Sequence, residues 1–384
     1  MIGIVLAGGP GIRLLPLTSN KPKALIRLAG QYLYEYSVNE LLNARIDEVI
    51  VVTPPASSNL FRPRYEGLRL IEQDKAGSLE SAIAAAVREA KKLGHDEAAL
   101  LFTGFLSAPR GMIKYALEFY ASSGYPLVIS VVPVVSGLET YGFVKLSRAD
   151  KVEAFGTKAL ESLPSIKSGY VFAGAMIGSI DTLERLALGN YESELNKIAS
   201  EGLLGAIVWH GDWVEIGYPW DLLDAMRVAM KLLEPRIDLR ARIGRDTVIE
   251  GLVVIEEGAV IGSGAVIEGP AYIGRGARIG RNSVVSASII ESHVTIGDLS
   301  LVSESIVMDS AIIHSHVAVR NSIVGDGARI KSFVDFEAGS PRELPERLRD
   351  IVSYTREPVK LGAVVAPNTT IESYTRIPPG AVLK

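Results

Sequence analysis

The chain has 384 residues, of which 48% are hydrophobic and 22% charged, a balance typical of an ordinary soluble globular protein large enough for two domains. The formal net charge of −4, without any Lys/Arg-rich block, argues against a nucleic-acid partner, and the lack of cysteine excludes disulfides and thiolate metal sites. No apolar run reaches the roughly 18 residues of a membrane-spanning helix, and Met1 begins directly on a strand. We therefore expect no membrane partner and a cytoplasmic location.

The first thirty residues hold the most informative pattern. Residues 1–6 form a short apolar run, which predicts a buried parallel strand. The run ends in Ala7-Gly8-Gly9-Pro10-Gly11, whose glycines allow a tight turn with N–H groups directed at an anion. Arg13 and Lys23 add two fixed positive charges. A strand, a glycine-rich loop and two cations together predict a site for a polyphosphate.

Residues 1–235 alternate apolar strands with helical spacing, which predicts an α/β fold around a mainly parallel sheet. Further buried strands are expected at residues 48–53, 98–103 and 126–132, and helices at residues 34–44, 78–93, 111–122 and 218–233. In such sheets ligands bind beyond the carboxyl ends of the strands, where the glycine-rich loop lies.

From about residue 236 one aliphatic residue recurs at every sixth position. The uninterrupted series is Ile243, Ile249, Ile255, Ile261, Ile267, Ile273, Ile279 and Val285. This period predicts a hexapeptide β-helix, in which each coil has three short parallel faces. The repeat blurs after Val285, breaks in a non-repeat excursion near residues 340–360 and then returns. We therefore predict an α/β domain over residues 1–235 and a β-helix over residues 236–384.

The stretch from Leu6 to Lys23 resembles the signature of the sugar-phosphate nucleotidyltransferases, L-A-G-G-x-G-T-R-L-x-P-L-T-x-x-x-P-K, with Ile12 in place of threonine. It fits neither the dinucleotide pattern G-x-G-x-x-G nor a P-loop. The resemblance implies an N-terminal Rossmann-like domain and a left-handed β-helix. It implies that the loop binds the nucleotide through Leu6, Ala7, Gly8, Gly9 and Gly11. It also implies that two cations, Arg13 and Lys23, act in catalysis on the triphosphate.

Gln73, followed by Gly77 and Ser78, resembles the family segment that binds the nucleobase. An amide carries both a donor and an acceptor, so it suits the imide edge of uracil or thymine. The resemblance thus favours UTP or dTTP. The alternative is a surface glutamine ahead of a helix that starts at Ser78.

Four further positions resemble the family's sugar-phosphate site: Tyr141, Gly142, Lys158 and Glu194. The match is incomplete, because Thr157 stands where the family has glutamate and Phe172 where it has asparagine. The implied reaction is attack of a sugar-1-phosphate oxygen on the α-phosphorus of a nucleoside triphosphate, which releases pyrophosphate.

The resemblance implies Mg²⁺ held between two aspartates, and both positions differ here. Phe105 stands at the first and Glu215 at the second. Glutamate offers oxygen ligands to a hard cation, but phenylalanine offers none. The implied magnesium site is therefore degraded, with Glu215 as its one predicted ligand.

Three functions remain open from the sequence. The first is a transferase that makes an NDP-sugar. The second is a catalytically impaired homologue that binds nucleotide or NDP-sugar and acts as a regulatory or scaffold subunit. The third adds acetyl transfer in the β-helix, with His314 or His316 as general base. The resemblance implies association through the flat faces of the β-helix, so we expect a homo-oligomer, or assembly with a related active subunit.

Overall fold

The computed structural model describes residues 1–62, 65, 67–134, 142–148, 150–156, 169–341 and 360–384. Packing divides the chain into two compact units, each composed of several segments. The first comprises Met1–Pro10, Pro22–Leu25 and Leu33–Glu215, and the second comprises Gly11–Lys21, Ile26–Tyr32 and Ile216–Lys384. Our division into residues 1–235 and 236–384 follows the change in sequence pattern and stays a prediction.

The strands that precede the β-helix include apolar, β-branched runs such as Ile2–Leu6 and Val49–Thr53, which are buried along their whole length. In chain order they are β1 (Ile2–Leu6), β2 (Arg27–Leu28), β3 (Gln31–Tyr32), β4 (Val49–Thr53), β5 (Leu68–Glu72), β6 (Glu97–Phe102), β7 (Phe105–Ala108), β8 (Leu127–Val134), β9 (Phe143–Arg148), β10 (Lys151–Gly156), β11 (Gly169–Ser179), β12 (Leu204–Val208) and β13 (Asp212–Glu215). The helices are α1 (Leu33–Asn43), α2 (Leu79–Lys92), α3 (Met112–Ser123), α4 (Ile180–Arg185), α5 (Tyr191–Ser200) and α6 (Asp221–Met230).

The first unit is built on a nine-stranded sheet in the order β5-β4-β1-β6-β11-β8-β12-β10-β9. Strand β1 pairs in parallel with β4 and β6, and β4 pairs in parallel with β5. Strand β11 is antiparallel to β6 and β8. The α/β class is confirmed, and the sheet is parallel around the glycine-rich loop and mixed beyond it.

Helix α2 shows how local sequence sets the elements beside the loop. Its N-cap Ser78 accepts a hydrogen bond from the Ser81 N–H (3.2 Å), and Gly94 in the left-handed region (φ 79°) follows its last turn. Its alanine-rich face is buried in the core beneath the sheet. The expected helix over residues 78–93 is thereby confirmed.

The second unit contains a three-sided parallel β-helix with the arrangement of a left-handed β-helix. Its first sheet comprises β14 (Arg236–Ile237), β17 (Val253–Ile255), β20 (Ala271–Ile273), β23 (Ile289–Ile290), β26 (Ile306–Val307), β29 (Ile323–Val324), β32 (Val364–Val365) and β35 (Val382–Leu383). Its second comprises β15 (Arg242–Ile243), β18 (Val260–Ile261), β21 (Arg278–Ile279), β24 (Thr295–Ile296), β27 (Ile312–Ile313), β30 (Arg329–Ile330) and β33 (Thr370–Ile371). Its third comprises β16 (Val248–Glu250), β19 (Val266–Glu268), β22 (Val284–Ser286), β25 (Leu301–Ser303), β28 (Ala318–Arg320), β31 (Asp335–Phe336) and β34 (Arg376–Ile377).

The blurring of the repeat after Val285 has a structural cause. Ile261 pairs with Ile279, whereas Ile279 pairs with Ile296, so the coil becomes one residue shorter. At the shortened corner fully buried serines complete the backbone hydrogen bonding: the Ser305 N–H donates to Ser288 Oγ, and the Ser322 N–H to Ser305 Oγ, each at 3.1 Å. The aliphatic interior continues without interruption despite the changed spacing.

Candidate functional site

A pocket of about 360 Å³ lies at the carboxyl ends of the parallel strands of the first unit. Residues 6–9 leave the end of β1, Gln73 follows β5, and Thr103 follows β6. The loop starts as an extension of the sheet, since the Ala7 N–H donates to Val52 O (2.8 Å). The pocket therefore lies where the sheet topology predicts a ligand.

Most of the predicted site residues line this one pocket. They are Leu6, Ala7, Gly8, Gly9, Lys23, Gln73, Gly77, Ser78, Gly142 and Glu215. Residues as far apart in the chain as Leu6 and Glu215 are thus brought together around one cavity. Their individual roles in binding stay predictions.

The remaining predicted residues lie elsewhere. Gly11 and Arg13 belong to the second unit, where the Arg13 guanidinium lies over the Tyr218 ring, 5.2 Å from its centre. Glu194, on α5, forms an ion pair with Lys197 and does not line the pocket. The other two, Tyr141 and Lys158, lie outside the described residues, as does Thr157.

The two ends of the Gln73 amide, beside the pocket, lie in different environments. Its Nε2 group donates to the carbonyl oxygens of Lys75 and Ser78, the latter at 3.5 Å, which identifies that end of the amide as the NH₂ group. Its Oε1 is buried and has no hydrogen-bond partner among the described residues. This oxygen is therefore an acceptor that the described protein groups leave unsatisfied.

Gly8 is the position where the loop approaches Gln73. A Cβ atom on Gly8 would overlap Gln73 Oε1 and lie 2.6 Å from its Cδ. At Gly9, by contrast, an added Cβ would meet no atom within 4 Å. Glycine is therefore required at position 8, because a side chain there would collide with the Gln73 amide. A side chain at position 9 would extend into open space.

Phe105 packs in an aromatic cluster at one end of the pocket. The cluster comprises Phe102, Phe105, Phe155, Phe172, Tyr191 and Trp213. The Phe105 ring lies 5.9 Å from that of Trp213 and 6.2 Å from that of Phe172, measured between ring centres. It also covers Gly174, where a Cβ would overlap the ring. Phe105 thus fills an apolar niche.

Sequence reasoning missed part of this aromatic wall. Phe102 and Tyr191 line the pocket, but their spacing in the chain carries no motif. Thr103, at the end of a predicted strand, also lines it, and its buried Oγ1 has no hydrogen-bond partner among the described residues. A polar residue next to the carboxyl end of a parallel strand was the one available signal.

His314 and His316 are exposed on the β-helix. The His316 ring stacks on Phe333 at 4.9 Å between ring centres, and Phe333 stacks on Tyr374 at 5.0 Å. A role for either histidine in acetyl transfer stays a prediction.

A family comparison matches the nucleotidyl transferase model to residues 2–231, more than half of the chain. The chain belongs to the nucleotidyl transferase family. A second model, described as the GMPPB C-terminal domain, matches residues 267–341 within the β-helix.

Curated relatives extend this similarity at low identity. A bifunctional protein GlmU of Methanococcus maripaludis is 27% identical over 269 residues, which cover 68% of this chain and 61% of the relative. A bifunctional sugar-1-phosphate nucleotidylyltransferase/acetyltransferase of Sulfurisphaera tokodaii is 27% identical over 67% of this chain and 63% of its own length. The low-salt glycan biosynthesis nucleotidyltransferase Agl11 of Haloferax volcanii is 26% identical over 67% of this chain and 74% of its own length. The chain thus spans less than two thirds of the first two relatives.

Nucleotidyl transferases generally use a divalent metal, but the residues at this pocket do not fit one held by two carboxylates. Glu215 supplies a single carboxylate, and the residue opposite it on the neighbouring strand is Phe105. Across the described ranges, no group of three or more His, Cys, Asp or Glu side chains is arranged to hold a metal ion. Asp74, which follows Gln73 in the chain, is exposed and pairs with Arg88 at 3.0 Å. The aromatic niche therefore replaces the charge expected at this position.

Within the described part of the chain, none of the helices combines the length and the apolar character needed to cross a membrane.

Proposed function

We propose that this nucleotidyl transferase homologue binds a nucleoside triphosphate or an NDP-sugar in the pocket with little or no transfer activity, and acts as a regulatory or scaffold subunit. The observation that carries the proposal is the packing of Phe105 among Phe172 and Trp213. Nucleotidyl transfer depends on positioning and on neutralising phosphate charge. An aromatic ring at this position supplies neither a metal ligand nor a charge.

Nucleotide binding is supported by groups that line the same pocket. Gly8 and Gly9 keep the backbone accessible, and Lys23 offers a positive charge for phosphate. Gln73 lines the pocket, and its amide carries a donor and an acceptor that suit the imide edge of a uracil or thymine base, which favours UTP or dTTP. In a regulatory role the β-helix would associate with further copies of the chain or with an active relative.

An active transferase that couples UTP or dTTP to a sugar-1-phosphate is the second candidate. It is favoured by Glu215 and Lys23, because a carboxylate and a cation both line the pocket. Mg²⁺ is often bound by one or two carboxylates together with substrate phosphates. This candidate requires that Glu215 be the one carboxylate that binds Mg²⁺, together with the substrate phosphates.

The test measures pyrophosphate release and nucleotide binding on the same full-length preparations. UTP and dTTP are each offered with Mg²⁺ and a panel of sugar-1-phosphates, and their dissociation constants are measured by calorimetry. The variants are Phe105→Asp, which restores the carboxylate, and Phe172→Asp, which adds a carboxylate elsewhere in the aromatic cluster.

We expect the wild type to bind UTP or dTTP and release no pyrophosphate above background. Gain of turnover by Phe105→Asp but not by Phe172→Asp would identify the lost carboxylate as the cause. Robust wild-type turnover would overturn the proposal in favour of the second candidate. A wild type that binds neither nucleotide, nor the corresponding UDP- and dTDP-sugars offered in the same calorimetry, would overturn both.

A further inference from the structure

Each sheet of the β-helix turns one row of side chains into the interior and another row outward, because successive residues of a strand point to opposite faces. In the third sheet the inward row belongs to the buried aliphatic interior and includes Ile267, Val285 and Val302. Each of these is the second residue of its strand. The first residue of each strand in this sheet therefore points outward.

Five consecutive coils place an aliphatic residue at this outward position. The strand register aligns them one above the other as Val248, Val266, Val284, Leu301 and Ala318. We call these five residues the aliphatic column. Val248 is 41% exposed, and the other four are half-buried. With about 4.8 Å between adjacent strands, the column runs for roughly 20 Å along the β-helix.

The outward rows of the other two sheets differ from the column. In the first sheet the outward residues are also apolar, but they are buried, as in Tyr272, Ile289, Ile306 and Ile323. In the second sheet most of them are polar, as in Arg242, Arg278, Thr295, Arg329 and Thr370. Among the described coils, the third sheet thus combines an apolar outward row with contact to solvent. A continuous exposed apolar strip is typical of an interaction surface.

A second outward row, beside the column, has different charges at its two ends. It begins with Glu250 and Glu268, which are directly paired on adjacent strands and repel each other. Neither glutamate forms an ion pair with another described residue. The row continues through two serines to Arg320, whose Nη1 lies 2.6 Å from Asp335 Oδ1. One end is therefore acidic, whereas the other presents a partly exposed guanidinium.

These two rows fit a second copy of the chain whose β-helix runs in the opposite direction. A two-fold axis parallel to the strands, midway between Val284 and Leu301, would lay the aliphatic column of one copy on that of the other. The same axis would set Glu268 of each copy against Arg320 of the other. A parallel arrangement would instead bring Glu250 and Glu268 of both copies to one level, where four carboxylates would repel one another.

We infer that the third sheet of the β-helix is an interface with a second copy of this chain, packed antiparallel about a two-fold axis. The aliphatic column supplies the apolar contact, while Glu268 and Arg320 set the direction. The inference rests on the scaffold role proposed for the β-helix, and it names the surface and the arrangement of that association. It concerns residues of the second unit alone and does not depend on nucleotide binding.

The experiment measures the mass of the full-length protein by light scattering and its self-association constant by sedimentation equilibrium, without nucleotide. Val284→Glu puts a charge in the middle of the aliphatic column. Val260→Glu is the matched control, because it puts the same charge at a half-buried outward position of the second sheet. Glu268→Arg and Arg320→Glu each reverse one charge, and the double variant exchanges them. The thermal midpoint of every variant checks that it folds.

We expect a dimeric wild type, and we expect Val284→Glu to raise its dissociation constant at least about tenfold while Val260→Glu leaves it unchanged. Each charge reversal should weaken the dimer, and the exchange should restore most of the lost affinity. A monomeric wild type, or an oligomer that responds equally to both glutamate substitutions, would overturn the inference. An oligomer that Val284→Glu dissociates but the charge exchange does not restore would overturn the antiparallel arrangement.

Calorimetry with UTP and dTTP on the same preparations tests the proposed binding function separately, because the pocket residues belong to the first unit. A monomer that binds nucleotide would overturn the inference and leave nucleotide binding standing. A dimer with the expected response to the variants would support the inference even if it bound neither nucleotide.

Discussion

Phe105 and Glu215 face each other across an antiparallel pair of strands, with β7 supplying one and β13 the other. The pairing puts a carboxylate and an aromatic ring at the two places where the family resemblance implies a pair of aspartates. Directly opposed residues on antiparallel strands have Cβ atoms only about 5 Å apart. A carboxylate at position 105 would therefore lie within reach of a cation bound by Glu215.

The first prediction concerns Phe105→Asp. The variant loses aromatic packing and sets two like charges opposite each other, so its free energy of unfolding should fall by about 2–4 kcal/mol. A bound Mg²⁺ would relieve the repulsion and stabilise the folded state. We expect the thermal midpoint of this variant to rise on addition of Mg²⁺, as measured by calorimetric unfolding.

Phe105→Ala is the control for this measurement, because it removes the ring without adding a carboxylate. Its thermal midpoint should not respond to Mg²⁺. An equal response of the two variants would show that position 105 contributes no ligand, and the idea of a lost metal ligand would have to be abandoned.

The second prediction compares Gly8→Ala with Gly9→Ala. An alanine at position 8 would displace the Gln73 amide and break its bonds to the carbonyls of Lys75 and Ser78. We expect it to lower the free energy of unfolding by about 1–3 kcal/mol and to abolish UTP binding. Urea unfolding and calorimetry measure the two effects. Gly9→Ala, whose methyl group meets no neighbour, should leave the stability unchanged, and equal losses in both variants would contradict this explanation.

The local features of the fold could be read from the sequence. The buried strand at residues 1–6, the glycine-rich loop and the six-residue repeat each depend on neighbouring residues, and each was confirmed. The change of coil length after Val285 could not be read, because losing one corner residue shifts the spacing but leaves the interior intact.

The long-range contacts of the site could not be predicted in the same way. Phe105 meets Trp213 because β7 pairs with β13, and it meets Phe172 although β11 belongs to another sheet; no spacing in the chain encodes either contact. The pairing of Arg27 with Asp309 is similarly hidden, since charged residues are common and their partners depend on the fold. The missing aspartate was visible from the sequence, but the niche that replaces it was not.

The third prediction concerns the pH dependence of the first unit. Burial raises the pKa of Glu40 from 4.5 to about 7, although its carboxylate accepts a hydrogen bond from the Gly111 N–H (3.3 Å). Between these two values the folded protein keeps a proton that the unfolded chain has lost. The stabilising contribution is therefore complete below pH 4.5 and is lost as the pH rises through about 7.

Glu40→Gln should remove this dependence, since the amide stays neutral. Relative to the wild type, the variant should gain about 3 kcal/mol of unfolding free energy between acidic and mildly alkaline pH, as measured by urea unfolding across that range. Glu118→Gln, on the exposed face of α3, is the control and should follow the wild type. A parallel pH profile for wild type and Glu40→Gln would show that Glu40 does not titrate in this window.

The last prediction concerns the serine ladder of the shortened β-helix corner. Ser305 Oγ accepts a hydrogen bond from the Ser322 N–H (3.1 Å) and donates to the Ser303 carbonyl (2.6 Å), in a fully buried position. Ser305→Ala leaves that N–H without an acceptor, which should lower the free energy of unfolding by about 1–3 kcal/mol. Ser303→Ala, at a half-buried position whose backbone carbonyl is retained, should cost far less. Urea unfolding of both variants measures the two losses. Equal losses would mean that the serine hydrogen bonds do not stabilise the shorter coil, and that packing of the aliphatic interior is sufficient to hold it.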